Sequence, residues 1–160
     1  MYKIIDMHTI HDWLNEYGES HKNETNKLIH WICVPAIVFS ILGLLYSIKL
    51  PFYVGVYQLN VGVIISVVVL LYYFSLSASL SVGMFLYLAV CMVIAYLVER
   101  SGIIPLWLFS IIVFVAAWIG QFYGHKIEGK KPSFLKDIQF LMIGPAWLMS
   151  FIYKRLGIGL

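Results

Sequence analysis

Two polar clusters in an otherwise apolar chain carry the residues that could do chemistry. The first runs from Tyr17 to His30 and holds His21, Asn26 and His30. The second runs from Gln121 to Pro132 and holds His125 and Glu128. Three imidazoles with a carboxylate or an amide suit non-haem Fe(II) with positions left open for O2. Zinc accepts the same donors, so spacing alone leaves the metal open.

Asn26 and His30 stand four apart and share a face in a helix. His21 lies nine before His30, which turns it roughly 180° away on one straight helix. A helix boundary between them is therefore required, and Asn23 and Thr25 are the N-cap candidates for it. His125 and Glu128, three apart, read as a helical pair on one face, the reverse of the Glu-x-x-His order of carboxylate-bridged iron bundles. Gly124 and Gly129 flank that pair and permit close backbone approach.

Something must bring the clusters together across residues 31–120, where the only Asp, Glu, Lys or Arg are Lys49, Glu99 and Arg100. Apolar segments are expected to span a bilayer at about Lys27–Ile48, Val54–Leu76, Leu80–Val98 and Ile104–Tyr123. An even number of crossings returns His125 to the face of His30. Before them, residues 1–20 read as an amphipathic surface helix. After them, Lys126–Lys136 is a basic loop, and Phe134–Tyr153 is an apolar segment that Gly144-Pro145 divides into two arms too short to cross. The expected fold is an all-α, multi-pass membrane bundle: about four transmembrane helices, an N-terminal amphipathic helix and a C-terminal re-entrant or interfacial helix pair. Residues 1–160 form one membrane-embedded domain.

Composition supports this. Of 160 residues, 61% are hydrophobic and 12% charged, about half the charge of a soluble domain. Lys3, Lys22, Lys27, Lys126, Lys130, Lys131 and Lys136 fall on the histidine face and only Lys49 and Arg100 opposite, so the histidine face is expected to be cytoplasmic. Cys33 and Cys91 lie in apolar segments, which disfavours a disulfide or a thiolate zinc site. The absence of a basic run excludes nucleic-acid binding. His8 and His11 read as surface residues.

The pattern His21-x4-Asn26-x3-His30 with Val34-Pro35, then Trp118-x2-Gln121-Phe122-x-Gly124-His125-x2-Glu128-x3-Pro132, resembles the Fe(II)-dependent 2-hydroxy fatty acid dioxygenase family. These are small multi-pass membrane proteins of fatty-acid α-oxidation. Leu135-Lys136-Asp137-Ile138-Gln139 keeps the Asp of a further family pattern and lacks its Asn. The resemblance implies O2-dependent shortening of a 2-hydroxy fatty acid by one carbon with release of CO2. It implies His21, His30, His125 and Glu128 as Fe(II) ligands, with Asn26 a catalytic or orienting neighbour and Tyr17 and Gln121 close by. The membrane would be a bacterial inner membrane or the endoplasmic reticulum.

Three other readings compete. A lipid-binding integral membrane protein with merely interfacial histidines would hold no iron and tolerate their loss. A di-iron hydroxylase needs more histidines than the five present, and a HxxxH-type motif that is absent. Transport of ions is disfavoured by the lack of ionisable residues within the spans.

Overall fold

The computed structural model describes residues 9–129 and 139–160. Among these residues the order is α1 (Ile10–Gly18), α2 (Glu24–Tyr46), β1 (Lys49–Val54), β2 (Tyr57–Asn60), α3 (Val61–Leu76), α4 (Ala78–Ser101), α5 (Leu106–Glu128) and α6 (Gln139–Leu156). The architecture is a helical bundle. Helices α2, α4 and α5 are long and apolar enough to cross a membrane, and α3 is a shorter apolar helix. Their outward faces carry Ile32, Val68, Leu71, Leu86 and Ile119, all exposed. A protein in water rarely leaves so continuous an apolar surface uncovered.

Helix α1 begins with a reciprocal cap, in which Thr9 and Asp12 satisfy each other's backbone N–H. Ile10, Leu14 and Tyr17 then bury one stripe against α6, where the Trp13 and Phe140 rings meet edge to face at 5.9 Å. The amphipathic reading of this segment holds for its described part, and His11 is exposed as expected. His8 lies outside the described residues.

The principal interface is α2 against α5. It is close because α5 presents glycine at four-residue spacing: a methyl on Gly120 would lie 2.6 Å from Cys33 Sγ, and one on Gly124 2.5 Å from Asn26 Oδ1. Helices α2 and α5 run so that the start of one adjoins the end of the other. At the opposite end of the bundle Lys49 and Glu99 pair at 2.8 Å, which ties the start of β1 to the end of α4.

Two expectations change. Lys49–Asn60 is an antiparallel hairpin, not the start of a span: Val54 pairs with Tyr57, and Gly55 at φ 60° supplies the positive φ that a two-residue loop needs. The span expected from Val54 therefore starts at Val61, after the Asn60 cap. The C-terminal helix pair is also corrected, because α6 runs unbroken from Gln139 to Leu156 with Pro145 inside it. Proline removes a backbone donor, but a packed membrane-type helix tolerates that when neighbours compensate. Here the support is packing: Ile143, Ala146 and Leu148 are buried on both sides of the proline, and just before it the Tyr73 hydroxyl anchors α6 by donating to the Met142 carbonyl at 2.7 Å. Of the serines at 75–81, Ser77 alone separates α3 from α4, and it caps α4 by accepting from Leu80 N.

A buried three-histidine centre

His21 sits in the short connection between α1 and α2. Gly18 ends α1, and the chain turns so that His21 N donates to Gly18 O at 3.0 Å. The ring stacks on Tyr17 (centroids 4.2 Å, planes 11° apart) and donates from Nδ1 to the Tyr17 carbonyl at 2.7 Å. Asn23 is the N-cap of α2, as its residue type foretells: its Oδ1 accepts from Thr25 N and Asn26 N. This is the boundary that lets His21 fold back onto His30. His30, on the second turn of α2, donates from Nδ1 to Asn26 O at 2.9 Å. His125, on the last turn of α5, completes the group.

The three imidazoles converge. Their candidate ligand nitrogens lie within 4.8 Å of one another, and His21, His30 and His125 are 2%, 1% and 4% exposed. His21 Nε2 and His30 Nε2 are 2.9 Å apart. A carbonyl oxygen only accepts, so both Nδ1 atoms carry the proton of a neutral ring. Two Nε2 lone pairs then face each other at hydrogen-bond distance with no proton between them. A cation removes the conflict, and nitrogens held at ~2.1 Å around one ion are separated by about this distance. The buried His125 Nδ1 has no hydrogen-bond partner among the described residues, a further donor that a metal would satisfy. The donor set therefore fits a metal with a three-histidine face. Fixing each ligand ring through its other nitrogen is the usual way a protein sets tautomer and direction.

Glu128 stands apart from the three nitrogens. Its Oε1 accepts from Lys22 N (2.9 Å), and its Oε2 accepts from Asn23 N (2.9 Å) and Asn26 Nδ2 (3.0 Å). Both oxygens are thus engaged at the start of α2, where free N–H groups and the helix dipole favour a carboxylate. Glu128 clamps the end of α5 to the start of α2. Asn26, completely buried, receives that clamp through its amide and supports His30 through its carbonyl.

Tyr17, Gln121 and His125 line a cavity with Val34, Ile37 and Leu141. Burial pushes the Tyr17 phenol up, so it stays a neutral donor. Asp137 and the basic residues Lys130, Lys131 and Lys136 lie outside the described residues. Two participants had gone unread. The backbone N–H groups of Lys22 and Asn23 carry no side-chain signal. Trp147, whose ring lies 5.3 Å from that of His21, is one more aromatic residue in an apolar segment. The four-residue spacing of Gly120 and Gly124, by contrast, was available as a close-packing signal.

With this geometry in view, comparison with known proteins is informative. A family model described as "2-hydroxy-palmitic acid dioxygenase Mpo1-like" matches residues 7–156. The 2-hydroxy-palmitic acid dioxygenase MPO1 of Saccharomyces cerevisiae is 31% identical over 147 residues, which span 88% of this chain and 78% of the yeast protein. No solved structure matches.

Proposed function

Because the chain belongs to the 2-hydroxy-palmitic acid dioxygenase Mpo1-like family, we propose that it is a membrane-embedded, Fe(II)-dependent dioxygenase that shortens 2-hydroxy fatty acids by one carbon. The observation that carries the metal is the pair of Nε2 atoms 2.9 Å apart, each on a ring whose Nδ1 is committed to a carbonyl. Zinc would accept the same nitrogens but has no redox chemistry, whereas a dioxygenase needs a metal that donates electrons to O2. His21, His30 and His125 would hold the ion. Ferrous iron there would supply electrons for O2 and a Lewis acid for the α-hydroxy acid.

The reaction balances without an outside reductant. One 2-hydroxy acid and one O2 give the acid one carbon shorter, CO2 and water. The bond between the hydroxyl-bearing carbon and the carboxyl carbon breaks, that carbon becomes the new carboxyl, and O2 takes up four electrons. The chain's own residues bind and orient. Glu128 and Asn26 keep α2 and α5 in register so that His30 and His125 face one point. Tyr17 and Gln121, on the cavity beside His125, would hydrogen-bond the hydroxyl and carboxylate of the substrate. Burial of the rings excludes bulk water from the reacting atoms.

The surrounding bilayer would deliver the substrate. Each tail CH2 buried in lipid contributes about 0.8 kcal/mol, so a long-chain acid partitions to the membrane before it reaches the protein. Among the described residues Lys22, Lys27 and Lys126 lie at the histidine end, and Lys49 and Arg100 at the far end. That bias supports a cytoplasmic active site, with the shorter α3 as the fourth crossing we propose beside α2, α4 and α5.

The test is metal analysis and turnover together. Detergent-purified protein, loaded anaerobically with Fe(II), should bind about one iron per chain, in line with one three-histidine centre. It should also convert 2-hydroxyhexadecanoate and O2 into the shortened acid and CO2. His125→Ala should lose both. Iron-free protein after loading, or histidine variants that keep their iron, would leave a lipid-binding membrane protein as the better account.

A further inference from the structure

Two cavities lie end to end along α6. The first has its polar end at Tyr17, Gln121 and His125 and reaches Val38 and Leu141. The second starts at the same Val38 and Leu141 and continues to Leu42, Leu45, Ile65 and Leu88, among α2, α3 and α4. Its only side-chain hydroxyl, that of Tyr73, is already spent on the Met142 carbonyl. The second cavity is thus an apolar extension of the space beside the histidines.

The Gly144-Pro145 step explains why the space exists. Gly144 lines the first cavity and Pro145 the second, so beside Leu141, the α6 side chain common to both, the helix presents only small or compact residues. A methyl on Gly144 would already lie 3.0 Å from the Tyr17 hydroxyl. Protein interiors otherwise pack with few voids larger than a water molecule. Aligned apolar voids that open on a polar reactive end are the usual form of a ligand site.

We infer that these cavities form the channel for the substrate's acyl tail, so that the tail threads the bundle interior instead of lying in lipid. The inference rests on the 2-hydroxy fatty acid reading above and adds to it the side chains that measure chain length. Along α2, His30 to Leu45 spans roughly 22 Å at 1.5 Å per residue, a reach suited to a long-chain tail. The free space is narrow, about 30 Å³ in the first cavity and about 70 Å³ in the second. A tail must therefore displace side chains as it enters, and Met84 and Met142 on the second cavity are of the type that repacks readily. Val38 and Leu141 form the neck, and Leu42, Leu45 and Ile65 line the deep end.

Two measurements on the full-length protein in lipid nanodiscs test this. The first is photolabelling with 2-hydroxyhexadecanoate carrying a diazirine at its tail end. Adducts on Leu42 or Leu88, both buried on the second cavity, are expected. Adducts confined to the outward-facing Ile32, Leu71 and Leu86 would place the tail in lipid and overturn the inference. This readout needs no turnover, so it stands apart from the activity reading. The second is Val38→Phe, which fills the neck. The kcat/KM ratio of 2-hydroxyhexadecanoate to 2-hydroxyoctanoate should fall at least tenfold, and an unchanged ratio would overturn the channel. Wild-type protein that oxidises neither acid would instead overturn the activity itself.

Discussion

Gly124→Ala adds one methyl group at the contact that aligns His30 with His125. That methyl would lie 2.5 Å from Asn26 Oδ1 and 3.3 Å from Ile29 Cγ2, where ordinary contact begins at 3.4 Å. Either the Asn26 amide or the helix pair must give by about 0.9 Å. Metal–ligand distances tolerate only ~0.2 Å of error. The amide is not free to swing, because its Nδ2 is held by Glu128 and the residue is fully buried. Part of the displacement therefore passes to His125, the next residue. Overpacking of this kind costs about 1–3 kcal/mol in stability, and disturbing the support of a ligand lowers metal affinity roughly 10–100-fold. Fe(II) titration and thermal unfolding of wild type and variant separate the two effects. Expected is a folded protein, a few degrees less stable, with iron affinity reduced by that factor. Gly120→Ala, one turn deeper, provides the contrast. Its methyl meets Cys33 Sγ at 2.6 Å, and Cys33→Ala in the same chain should recover most of the lost stability. Gly124→Ala protein that holds iron with wild-type affinity would refute the claim that α2–α5 spacing sets the site.

Glu128→Ala removes the acceptor of three hydrogen bonds and should lower iron affinity about tenfold while the far end of the bundle keeps its amide-exchange protection. Glu128→Gln, which keeps the shape without the charge, should fall between; equal loss in both would show that charge carries the clamp. Tyr17→Phe keeps the stack on His21 and should leave iron content intact while kcat/KM for the 2-hydroxy acid drops by about tenfold, the value of one hydrogen bond to a charged group. Lys49→Ala breaks a partly exposed ion pair at the end remote from the histidines, so its effect on unfolding should stay within about 1 kcal/mol and turnover should be unchanged.

The histidine centre was largely legible because each part of it is a local rule. Asn23 starts α2, His30 falls on the inner face, and an apolar stretch of the right parity returns His125 to the same end. Glu128 was less legible. A three-residue spacing puts it on the His125 face, but its reach past the helix end takes the carboxylate to the N–H groups of Lys22 and Asn23, which no side-chain pattern announces. The hairpin at Lys49–Asn60 was hidden by its own apolar residues: Val54, Val56 and Tyr57 read as the start of a span when they are in fact exposed around Gly55. Pro145 misled in the other direction, since what holds α6 on both sides of it is tertiary packing, including the anchor from Tyr73, 69 residues before Met142.

The orientation of the ligand rings is the instructive case between these extremes. His21 bonds the carbonyl of Tyr17 and His30 that of Asn26, each four residues back. The tautomer is therefore a property of local backbone geometry, set before the two segments meet. Two rings fixed in this way by separate segments arrive with unprotonated nitrogens facing each other, and the bundle closes around a repulsion unless a cation is present. Assembly of the bundle and binding of the metal are then coupled. Iron should stabilise the fold by mass action, with an unfolding temperature that rises with Fe(II) in the wild type and stays flat in His30→Ala. An iron-independent unfolding temperature in the wild type would mean that the rings reorient freely when empty, and that the carbonyl bonds do not hold them.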